Sequence, residues 1–316
     1  MAPELSHCRR TLNRDAWGEL YPFDSHYLEV RGCRYHYLDE SPSKNDGHAP
    51  TTLLFVHGNP TWSFHWRHLI LAQRGKHRCV AVDHLGCGLS DLQPEPLRLS
   101  DHIDNLVQLI EALDLEQVTL VAQDWGGAIG LGALLRERSR FQRLLLLNTG
   151  AYPPWFIPWR IRACRWPVLG RLAVQGCNAF SLAALRMTLA RTRRLDSRVE
   201  QAYLAPYSSW AQRAAVYQFV RDIPLDDSHP TWQTLAQIEA GLPQLDELPI
   251  QLIWGMKDWC FTPECLTKFV EVWPEAEVQR LTDAGHWVLE DAPEQCASLV
   301  TDWLRRSNVP ASGAVS

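Results

Sequence analysis

With 316 residues, 46% of them hydrophobic and 21% charged, the chain has the apolar content to bury a large core, which excludes a disordered or fibrous protein. A formal net charge of −5, spread along the sequence, excludes a blanket electrostatic attraction to nucleic acid or to an anionic membrane. The nine cysteines are odd in number and irregularly spaced with no Cys-x-x-Cys pair, which excludes a disulfide framework and a zinc site and reads as reduced thiols. No apolar leader opens the chain and no run reaches the length of a membrane span, so the expected location is the cytoplasm.

Taken in chain order, residues 26–31 and 34–39 alternate around Gly32-Cys33 and predict an antiparallel hairpin at a sheet edge. Apolar runs at 52–57, 79–83, 117–122, 143–148, 250–255 and 277–281 then predict six further strands, each followed by a helical pattern. Strands alternating with crossover helices specify an α/β fold with a mostly parallel, eight-stranded sheet. Between Thr149 and Leu248 the strand rhythm stops. Helical periodicity at 155–171 and 203–220 makes 149–248 an inserted helical cap over the carboxyl ends of the strands. The core is then 1–148 together with 249–306, and 307–316 is too poor in apolar residues to fold and is read as a disordered tail.

The chemistry concentrates at strand ends. In Val-Ala122-Gln-Asp124-Trp125-Gly126-Gly127, small residues stand two before and two after Asp124, the clearance that a strained strand-to-helix elbow needs around a nucleophile. Asp is also a favoured helix N-cap, so this motif alone is ambiguous. Trp254-Gly-Met-Lys-Asp258 and Asp283-Ala-Gly-His286 each follow a predicted strand, giving the order nucleophile, acid, histidine that characterises α/β-hydrolase triads. Upstream, His57-Gly58-Asn59-Pro60-Thr-Trp-Ser follows the strand where this fold places a second oxyanion donor.

These motifs, with Asp83-His-Leu-Gly-Cys-Gly-Leu-Ser-Asp91, resemble the haloalkane dehalogenase family over residues 21–304. The resemblance implies that Asp124 displaces halide from carbon to form an alkyl ester, which water activated by His286 then hydrolyses to alcohol, while Asp258 orients the histidine. On matching positions, Asn59 and Trp125 are the implied halide ligands, and their backbone N–H groups the oxyanion donors. Leu147-Asn148-Thr149 stands where some relatives carry a catalytic Glu, so the implied acid is Asp258. That Asp-His-Asp set is similar to a subfamily that includes β-lactone decarboxylases of olefin biosynthesis.

The expected function is therefore hydrolytic haloalkane dehalogenation, with β-lactone decarboxylation as the alternative, since the two would share these residues. Epoxide hydrolases usually carry Phe at the position of Asn59 and use two cap tyrosines, for which Tyr152, Tyr203, Tyr207 and Tyr217 are available. An inactive hydrolase scaffold used for binding would predict a broken triad, whereas every position is filled. The partners implied are a small apolar substrate and a halide ion, with no nucleic acid, metal or organic cofactor. His57 is read as structural. The interleaved aromatics and arginines of 153–166 raise self-association through the cap.

Overall fold

The structure, a computed structural model, describes residues 12–42, 51–190 and 194–307. The expectation of a disordered tail falls on 308–316, outside the described residues, apart from Ser307. The strands are β1 (His26–Val30), β2 (Cys33–Glu40), β3 (Thr52–Val56), β4 (Arg78–Val82), β5 (Val118–Asp124), β6 (Phe141–Thr149), β7 (Ile250–Gly255) and β8 (Glu277–Leu281). Each lies within two residues of its predicted bounds at either end, because a buried strand is an uninterrupted apolar run whose ends are marked by turn residues. They form one sheet in the order β1-β2-β4-β3-β5-β6-β7-β8. Only the β1/β2 and β2/β4 pairs are antiparallel.

Helices cover both faces: α1 (Arg67–Gln73), α2 (Leu99–Ala112) and α3 (Trp125–Arg136) precede β6. Within β3, Leu54 and Val56 join the core on one face while Leu53 and Phe55 join the core on the other, as period-two side chains must. β6 repeats the pattern with Leu144 and Leu146 against Leu145 and Leu147.

The chain leaves β3 toward β4 on one side and later returns to β5 on the other. A parallel sheet opens a crevice at the carboxyl ends of strands where its winding reverses in this way. Asn59 follows β3 and Asp124 ends β5, so both stand at that crevice.

Between β6 and β7 the described chain holds α4 (Trp159–Cys164), α5 (Leu169–Arg171), α6 (Ala179–Met187), α7 (Ser197–Leu204), α8 (Ala214–Asp222) and α9 (Pro230–Gly241), with short non-α turns between them and no strand. The helical periodicity expected at 155–171 and 203–220 is carried by short pieces. Pro158 sits at the N-cap of α4, Pro167 separates α4 from α5, and Pro206 falls between α7 and α8. A proline removes the N–H that an interior helical turn requires and clashes with the preceding turn. After β7 come α10 (Pro263–Val272), α11 (Val288–Asp291) and α12 (Pro293–Arg306).

Candidate active site

Asp124 is the last residue of β5 and the N-cap of α3, with φ 54° and ψ −133°. A non-glycine residue pays a steric penalty at such a φ, and it is held there by close packing on both sides. A Cβ on Gly126 would stand 2.0 Å from the Val56 carbonyl oxygen, and one on Gly58 would stand 2.1 Å from Asp124 Oδ1. Both positions therefore need glycine for the elbow to approach β3 and for the carboxylate to occupy its place. The Asp124 side chain does not cap α3. Its Oδ1 accepts the backbone N–H of Asn59 at 2.7 Å, and its Oδ2 lies 3.3 Å from His286 Nε2.

On its far side, His286 Nδ1 meets Asp258 Oδ2 at 2.7 Å. Asp258 is saturated: Oδ1 accepts the N–H groups of Cys260 and Phe261, and Oδ2 also accepts Asn148 Nδ2 at 3.0 Å. An imidazole clamped this way donates from Nδ1 and presents Nε2 to Asp124. Burial disfavours the imidazolium, but Asp258 and Asp124 outweigh burial and raise the His286 pKa to about 10. The Phe261 ring stacks on the imidazole at 5.5 Å and fixes its plane.

Asn148 at the end of β6 was read from sequence only as the lack of a glutamate. Its amide bridges β6 to β7, accepting the Gly255 N–H at 2.8 Å and donating to the Gly255 carbonyl as well as to Asp258. A second hydrogen-bonded set reaches His286, and of its members the sequence singled out only Tyr203, as a cap tyrosine. Gln123 donates to the His286 carbonyl and meets His65 Nε2, and His65 Nδ1 lies 2.8 Å from the Tyr203 hydroxyl. Tyr203 donates to Glu290, which takes a paired contact from Arg67. Burial lowers the His65 pKa to about 4. Burial pushes Glu290 up, but Arg67 outweighs it and holds the carboxyl below its usual range. The one signal available for this chain was that Gln123 directly precedes the elbow.

His57 spends both ring nitrogens on structure, Nδ1 on the Gly58 carbonyl and Nε2 on the His84 N–H. Asp83 accepts the N–H groups of Ser63 and Leu89 and pairs with His36, which braces the loop after β3.

Asp124 faces a cavity of about 150 Å³ whose walls include Trp125, Tyr152, Phe156, Ile161, Leu235 and Phe261. Asn59 and Trp125 both line it, next to the carboxylate. Asn59 Nδ2 donates to the Val216 carbonyl of α8 at 3.2 Å, leaving its second N–H for a ligand. Cys260 and Cys265 also line the cavity, but burial pushes both thiols up, away from the thiolate a nucleophile requires. Of the four candidate cap tyrosines only Tyr152 lines the cavity, and its hydroxyl donates to the Cys265 carbonyl. Tyr203 and Tyr207 are turned to Glu290 and to the Thr61 carbonyl, so no tyrosine pair faces Asp124.

Residues 51–293 match the family described as alpha/beta hydrolase fold. The cis-3-alkyl-4-alkyloxetan-2-one decarboxylase of Shewanella oneidensis is 36% identical over 302 residues, covering 93% of this chain and 92% of that protein. Haloalkane dehalogenase 2 of Mycobacterium tuberculosis is 31% identical over 294 residues, covering 90% of this chain and 96% of that protein. Among solved structures, the haloalkane dehalogenase DbeA of Bradyrhizobium elkanii superposes with a TM-score of 0.80 at 26% identity, covering 90% of this chain and 98% of that one. The chain belongs to the α/β-hydrolase fold family, in the group whose members include haloalkane dehalogenases and β-lactone decarboxylases.

Proposed function

We propose that Asp124 is a carboxylate nucleophile acting at a saturated carbon of an apolar substrate, and that this substrate is a dialkyl β-lactone. The observation that carries the nucleophile is its placement: a strained elbow carboxylate, bonded by the Asn59 N–H, opposite a histidine oriented by Asp258 and facing an apolar cavity. The choice of lactone is supported by the higher identity to the decarboxylases, 36% against 31%.

The steps balance without cofactor, water or net proton transfer. An Asp124 oxygen bonds to the saturated ring carbon that bears the ring oxygen. That C–O bond breaks, and its electron pair becomes the charge of a free carboxylate. The carboxylate then leaves as carbon dioxide, and the electrons of its C–C bond form the alkene while expelling Asp124. Inversion in the first step followed by anti elimination in the second carries a cis lactone to a cis alkene.

Hydrolytic dehalogenation, which would use the same residues, is the second reading, supported by the 31% identity to haloalkane dehalogenase 2, with Trp125 and Asn59 beside the carboxylate as the halide ligands. Here halide leaves, and His286 takes a proton from water as it attacks the Asp124 ester. Esterification removes one of the two charges that hold His286 protonated, so the histidine becomes a base once the intermediate exists.

The test is to incubate the purified chain with a cis-dialkyl β-lactone and, separately, with a bromoalkane, measuring alkene and bromide, with Asp124→Asn as control. Alkene formation that Asp124→Asn abolishes is expected. Bromide turnover without alkene would replace the lactone by the haloalkane, and neither product from folded enzyme would sink the carboxylate mechanism.

A further inference from the structure

We infer that the outer surface of residues 155–172 docks on an anionic membrane and that the cavity opens into the lipid there. Trp155, Phe156, Trp159, Trp166, Val168 and Leu169 are each more than half exposed, from 51% to 72%, along this one stretch. Exposed apolar surface of this density marks a binding face, and tryptophan with arginine is the composition suited to a membrane interface.

Charge selects the occupant. The chain carries −5 overall, yet residues 151–190 contain arginines and no Asp, Glu or Lys. Arg165 is turned inward onto the carbonyls of α8, and Arg186 pairs with Glu200. Arg160, Arg162 and Arg171 are exposed and make no ion pair among the described residues. Arg160 instead lies over the Trp159 ring and Arg171 over Trp210, which holds the guanidinium groups among the apolar side chains. A second copy of the chain docking through this face would bring arginine against arginine with no carboxylate from the segment to meet it. Anionic headgroups meet the arginines while the tryptophans and leucine enter the acyl boundary.

The cavity fits this placement. Trp155 and Phe156 line it and are also exposed, so its mouth lies within the patch. An apolar substrate dissolved in lipid would reach Asp124 without crossing water. The docking does not depend on which substrate is turned over, and its test uses none.

The purified chain is floated through a density gradient with vesicles rich in phosphatidylglycerol or of phosphatidylcholine alone, with its sedimentation in the absence of vesicles as a parallel measurement. Flotation with the anionic vesicles only is expected. Binding should weaken roughly fivefold for each of Arg160→Gln, Arg162→Gln and Arg171→Gln. It should be lost in the triple variant W159S, W166S, L169S with the melting temperature unchanged. These side chains do not line the cavity. A wild-type chain that stays at the bottom of the anionic gradient overturns the inference, as does equal flotation with both vesicles. A dimer that the triple variant splits, with no flotation, assigns the face to a second copy instead.

Discussion

Gly58 and Asn148 constrain the Asp124 and Asp258 carboxylates. Because a Cβ at 58 would overlap Asp124 Oδ1, Gly58→Ala has to displace the carboxylate. A misplacement of that order costs about a hundredfold in kcat, and steady-state kinetics on whichever substrate is accepted will measure it. Asn148→Leu keeps the volume but leaves the buried N–H of Gly255 unpaired and removes a donor from Asp258. A loss of about 3 kcal/mol is expected in urea unfolding, with a lower kcat. The meeting of Asp124, Asp258 and His286 was legible because each stands at or soon after the end of a strand whose apolar run is unmistakable. Asn148 and the chain from Gln123 to Glu290 were not, since those contacts join residues far apart in sequence and arise only when the sheet and the α7 segment come together.

Among the elements, α1, α7 and α11 meet through a buried ion pair. Arg67 and Glu290 have side chains only 3% and 5% exposed and are bridged by Tyr203 to His65. Glu290→Gln strands the Arg67 charge in the interior, and a loss of about 3 to 5 kcal/mol is expected. The double replacement Arg67→Met, Glu290→Leu should recover most of it, which denaturant midpoints of the single and double variants will check. The strands were predicted closely, whereas the breaks in the helices over the site were not. Period 3.6 marks the apolar face of 155–171, but the breaks at Pro158 and Pro167 decide where a helix can run, and short pieces are held by tertiary contacts.

For the molecule as a whole, pH acts through His286. Its folded pKa is raised to about 10, above the ordinary histidine value of about 6.5. The stabilisation it contributes is thus complete below about pH 6.5 and is lost as pH rises toward 10. Urea midpoints of the native chain should decline across that window, and His286→Phe should flatten the decline. Asp124→Asn, by removing one of the raising charges, should move the His286 titration to lower pH.

Both proposed reactions require that Asp124 bond covalently to its substrate. The most direct measurement is intact and peptide mass spectrometry of the His286→Phe variant after exposure to a bromoalkane, since the dehalogenation reading makes His286 the base that hydrolyses the ester. An added alkyl mass is expected on the peptide carrying Asp124, absent in the Asp124→Asn, His286→Phe double variant. Bromide released over many turnovers with no adduct would contradict it.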